Sequence, residues 1–442
     1  MSLKDVLGIE LSGANSRAIG HYERAIRELQ CVRGDPIASA DAAIAEAPGF
    51  AMAHAVRAWA HLLGTELSGL PNAREAHALA AATAGTARER AHVTALGLLL
   101  EGHWHRSARV LEDCTIAAPR DALGLLVGHQ LDFFTGHSRM LRDRIARALP
   151  AWDEGVPGYH SILGMAAFGL EETFDFSRAE AIGRRAVELE PLDGWAQHAV
   201  AHVLEMQCRQ HDGIAWMRSN PAAWSSESYL AVHNWWHLAL FHYDLTDYAT
   251  TLSLYDREMG GGTSSVVLDM IDASALLFRL QLRGVDVSDR WQVLADAWAP
   301  VATACNYAFN DAHAVMALVG AGRLEAARAV LAAQETSMRR DDDNASFTRE
   351  VGHAVARAFL AFGEEDYART VSLLREVRSI AHRFGGSHAQ RDILDLTLLE
   401  AAFRAGQTGL ARALATERQE TRHDSPLSRL FVRRAAGRAA AA

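Results

Sequence analysis

Two pairs of histidines stand near the middle of the chain, His198 with His202 and His233 with His237, and Glu171, Glu172 and Glu205 lie close by in sequence. Within each pair the spacing is four residues, which on a helix places both side chains on one face. Neutral imidazoles so arranged, with a carboxylate beside them, suit zinc or a similar divalent ion that activates water for hydrolysis. Without a metal, the same groups make a polar pocket. His and Glu would hydrogen-bond a small polar molecule or a short peptide segment there, while Trp236 and Trp195 supply stacking surface. A histidine beside a carboxylate can also act as a general base. A third reading is packing alone, each ring nitrogen bonded to a neighbour inside the core, in a protein-protein interaction scaffold whose groove grips a partner protein.

Other chemistries find little in the residues. The chain has no His-Glu-x-x-His, so the best-known helical zinc-protease pattern is missing, and no Gly-x-Ser-x-Gly. Cys31, Cys114, Cys208 and Cys305 have no adjacent histidine and form no Cys-x-x-Cys pair, so buried free thiols are expected rather than a disulfide framework or a nucleophile. The loop Gly260 to Ser265 lacks the lysine and the strand-to-helix setting of a phosphate cradle. It reads as a flexible connection.

The elements that must hold these side chains are helices. Segments rich in Ala, Leu, Glu and Arg recur along 442 residues, with only 10 prolines to interrupt them and no convincing strand alternation. From Leu163 to Pro191 the small residues Ala167, Ala179 and Ala186 and the closing proline fit the 34-residue tetratricopeptide spacing. Small residues let two helices approach closely, and proline ends the second before the next begins. Short turns follow the same rhythm at Gly102 to Trp104, Thr173 to Phe176, Thr246 to Tyr248, Gly320 to Arg323, Phe362 to Tyr367 and Gly406 to Thr408. The expected fold is all-α, a tetratricopeptide-like α-solenoid of about ten antiparallel helix pairs. Residues 1–47 form a helical cap, 48–424 the repeat array, and 425–442 a C-terminal helix with an Ala/Arg-rich tail.

In such a stack the first helix of every pair lines the concave side. Taking Ala201 and Ala239 as the small residues of their repeats turns His198, His202, Glu205, His233, Trp236, His237 and Asp244 toward the groove. His313 falls on a later first helix, and His92, His129, His160, His353 and His388 on those of other pairs. The candidate catalytic residues are therefore Glu171, Glu205, His202 and His237. The candidate ligand-binding residues are Glu172, His198, His233, Trp236 and His313. His198, His202, His233 and His237 are the candidate ligands of one divalent metal such as zinc.

Charge and hydropathy narrow the partners. With 54 acidic against 44 basic residues the net charge is −10, which repels phosphate backbones, so no nucleic-acid partner is expected. Arg433, Arg434 and Arg438 come nearest to a basic patch, and they read as a solvated helix end. The stretch from Met1 to Gly13 lacks a signal-peptide core and no uncharged run reaches the ~18 residues of a membrane span. A cytoplasmic protein without a membrane partner is expected, and a homodimer is compatible with it.

The runs Ala167-Phe168-Gly169-Leu170-Glu171-Glu172, His198-Ala199-Val200-Ala201-His202-Val203-Leu204-Glu205-Met206, His233-Asn234-Trp235-Trp236-His237 and Gly385-Gly386-Ser387-His388-Ala389-Gln390-Arg391-Asp392 together resemble the tetratricopeptide repeat protein 38 family over nearly the whole chain. The resemblance implies the repeat fold and supplies no substrate. Cys208 departs from it, standing in a turn where glycine would be expected.

Overall fold

The structure is a computed structural model that describes residues 3–437. Met1 at one end and Arg438 in the tail lie outside the described residues. Among these residues there are 25 α-helices, most of them packed against the next in sequence. The only strands, Leu3–Lys4 and Glu10–Leu11, form a small antiparallel hairpin ahead of the first helix. Among the described residues no helix is long and apolar enough to cross a membrane, and all four cysteines are free and buried.

All six expected turns separate two helices, and each contains a residue in the left-handed region: Gly102, Phe174, Thr246, Gly322, Glu365 and Gly406. The reversal demands that conformation, so glycine relieves strain where it occurs and other residues bear a cost of about 1 kcal/mol. Cys208 shows why glycine was expected at its position, since its φ is +56°. The Gly260–Gly262 segment is a tight 3-10 turn with positive φ throughout, joining the helices Tyr248–Arg257 and Val267–Leu282.

The chain divides into two compact units. The first comprises residues 1–200 and 222–231, the second 201–221 and 232–442. The expected boundaries at 47 and 424 fall inside them. In the first unit, pairs such as Ala87–Leu100 with Trp104–Ala117 and Tyr159–Glu171 with Phe176–Leu189 stack on alanine and leucine faces. The return segment carrying Glu227 and Tyr229 packs back on the first helix: Arg33 pairs with Glu227 at 3.1 Å, and Tyr229 donates to Glu28 O at 3.3 Å.

The second unit has contacts that a one-dimensional stack lacks. In a solenoid each repeat touches its neighbours, yet Val267–Leu282 packs against both Ala308–Gly320 and the distant His388–Arg404. Arg279 on the former donates to Ala389 O at 2.9 Å. The helices thus close on one another, held by buried polar pairs as well as by apolar faces. The C-terminal arginines Arg433 and Arg434 are exposed, as a solvated helix end would be, and Arg434 also reaches back to the protein. It pairs with the buried Glu400 at 2.5 Å and lies over the Phe403 ring, while Leu427 and Phe431 bury their helix.

Candidate functional site

His92, His129, His160, His313, His353 and His388 all fall on the first helix of a sequential pair. Several meet an aspartate. His92 Nε2 lies 2.9 Å from Asp121 and His160 Nδ1 lies 2.7 Å from Asp193, both in the first unit. In the second unit His233 Nδ1 lies 2.8 Å from Asp272. A first-helix histidine bridging to an aspartate farther along the chain is therefore a recurring packing device, and such a pair alone marks no site.

His92 converges with Cys114 and Asp121, and His160 with Cys31 and Glu190, in the first unit; what sets the second apart is the convergence of three imidazoles. His202 is on the helix Gly194–Met206, and His233 and His237 are on Ala231–Asp244. The ring centroids of His202 and His237 are 4.4 Å apart, those of His233 and His237 4.9 Å. One ligand-type nitrogen from each of the three lies within 4.8 Å of the others. His237 Nδ1 is 3.1 Å from Glu205 and His233 Nδ1 is held by Asp272. A carboxylate on Nδ1 fixes ring orientation and directs Nε2 outward as a ligand or base. Trp236 stacks on His233 at 5.4 Å and is itself covered by the Arg279 guanidinium.

Electrostatics follow from burial. His202 and His237 are fully buried, and His237 is held well below the ordinary imidazole range by that burial, with His233 and Arg279 adding to the effect. Burial lifts the Glu205 carboxyl to about 7, against the pull of Arg422 and Arg279. Behind Glu205 lies a void of about 20 Å³, bounded by Gln210, Asp244, Arg279, Asp392 and Arg422. It is large enough for roughly one water molecule. Burial opposes charge on Asp392 as well, but Arg418 and Arg422 hold its carboxyl below the usual range.

Asp272, Arg279 and Arg422 do not stand out in the sequence, and Asp392 does so only within the run that begins at Gly385. They reach the site from distant segments, and no local spacing announces them. His313 is placed elsewhere in the second unit: its Nδ1 donates to Phe309 O at 2.8 Å, and it senses the charge of Arg279. The remaining candidates belong to the first unit. Glu171 and Glu172 are buried at the end of Tyr159–Glu171, where Glu172 accepts from Ser138 at 3.4 Å. His198, one turn before His202 on the same helix, stacks on Phe168 and packs on Trp195. No protein-family model matches the chain.

Proposed function

We propose that the second unit is a divalent-metal centre in which His202, His233 and His237 are the ligands, serving hydrolase-like chemistry. The observation that carries this reading is the mutual approach of three imidazoles with two of them braced by carboxylates. Three neutral histidines leave a fourth position for water, as catalytic zinc sites do. Glu205, hydrogen-bonded to Nδ1 of His237, would orient that ring and raise its basicity as a ligand. In the same proposal the chain is a tetratricopeptide-like helical repeat akin to the tetratricopeptide repeat protein 38 family, and the metal is zinc, iron or manganese.

Metal analysis of protein purified without a histidine tag tests the reading. About one equivalent per chain is expected in this unit, and His202→Ala combined with His237→Ala should remove it while far-ultraviolet circular dichroism stays unchanged. Asp272→Asn should weaken the affinity roughly 10- to 100-fold. If the double variant keeps its metal, or if zinc added to the wild type fails to bind, the ligand assignment is wrong.

A further inference from the structure

The first unit has a cleft, partly open to solvent, of about 330 Å³, within the size range of small-molecule sites. It is distinct from the histidine centre and shares no residue with it. Val6, Leu7, Ile26 and Leu123 give it an apolar wall, and Tyr22 and Arg88 bring polar groups to its lining. Tyr22 is 3% exposed and Arg88 8%.

The polar groups are unevenly satisfied. Asp5 accepts from the backbone N–H groups of Leu7 and Ile9 at 3.0 and 2.9 Å, Glu23 from that of Val6 at 2.7 Å, and Glu190 from Arg27 at 2.7 Å. The acids of the lining are thus engaged. The donors are not. Arg88 Nη2 donates to the Tyr22 hydroxyl oxygen at 3.0 Å and its Nε faces Asp121 at 3.1 Å, but Nη1 has no acceptor among the described residues. Because the Tyr22 oxygen is the acceptor in that bond, its own proton is left to donate. Buried donors without acceptors are costly, and a ligand that brings an oxygen acceptor offsets that cost.

We propose that this cleft binds a small organic carboxylate, its oxygens taken by Arg88 and the Tyr22 hydroxyl and its apolar body lying on Ile26, Leu123 and the N-terminal hairpin. A guanidinium with a neighbouring hydroxyl donor matches a carboxylate's two oxygens. An amine would find every acid in the lining already occupied.

Hexanoate and phenylacetate, compared with hexanamide and phenethylamine, are suitable probes by thermal shift and calorimetry on the full chain. The acids should raise the melting temperature saturably and the amine should not. Tyr22→Phe, which removes one donor and keeps the ring, should weaken acid binding about tenfold, equivalent to about 1.4 kcal/mol. Ile26→Trp, which fills the space, should abolish it. The His202→Ala/His237→Ala variant should bind the acids like the wild type, which separates this site from the metal centre. No binding of either acid to the wild type, preference for the amine, or equal affinity in Tyr22→Phe would overturn the proposal.

Discussion

A buried imidazole taxes a fold only where the unfolded chain would protonate it and the native state cannot. His313 is such a group: it is 3% exposed, and burial pushes it down to about 4 against the Phe309 carbonyl, which favours the charged form. In the unfolded chain it titrates near 6.5. Above that pH both states are neutral there, and the group adds no slope. As pH falls from about 6.5 to about 4, the unfolded chain takes up the proton first, so stability is lost through that window at up to about 1.4 kcal/mol per pH unit. His313→Phe should remove that component. Urea unfolding of the two proteins at pH 7, 6 and 5 reads it out, and parallel pH profiles would refute the assignment.

Helices reach close packing here through residues that lack a side chain. Gly213 on Gln210–Ser219 sits directly against the Phe241 ring of Ala231–Asp244, leaving no space for a Cβ. Helix propensity alone favours alanine at this position by about 1 kcal/mol. Overpacking outweighs it, because an aromatic ring in a filled core can yield only by moving its helix, at about 1–3 kcal/mol. Gly213→Ala should therefore lower the melting temperature. It should also weaken metal retention, since the displaced helix is the one that carries His233 and His237. A variant as stable as the parent would mean that propensity wins and the contact relaxes freely. Cys208 illustrates the same competition in a turn, where a side chain is tolerated at positive φ because the helices on either side dictate the reversal.

Across the whole molecule each compact unit has its own closures, and in the second the central one is Glu400. Its carboxylate is 3% exposed and receives Arg283 at 2.6 Å, Arg404 at 2.8 Å and Arg434 at 2.5 Å. Arg283 directly follows the helix Val267–Leu282, and Arg434 belongs to the last helix, Pro426–Ala435. Removing one partner of a buried ion pair costs about 3–5 kcal/mol, because it leaves the others uncompensated. Glu400→Gln should destabilise the second unit by an amount of that order. Hydrogen exchange should quicken in 267–282 and 426–435 together, whereas an open stack would confine the effect to adjacent repeats. Unchanged exchange in 267–282 would show that the closure is weak.

Sequence by itself determined the helical class, the turn positions and the helix on which each key histidine rides, because these depend on local quantities: the small-residue spacing, the helical period and the φ a reversal requires. The two His-x-x-x-His pairs were legible for the same reason. Tertiary structure decided everything that depends on contacts between segments far apart in the chain. It brought His202 to His237, supplied Asp272, Arg279 and Arg422, buried what was expected to line an open groove, and joined helices more than 100 residues apart through Glu400 and Arg283. It also formed the Tyr22 and Arg88 cleft, whose lining comes from separate segments of the first unit. Such contacts are chosen by the summed packing of many faces, and no single spacing encodes them.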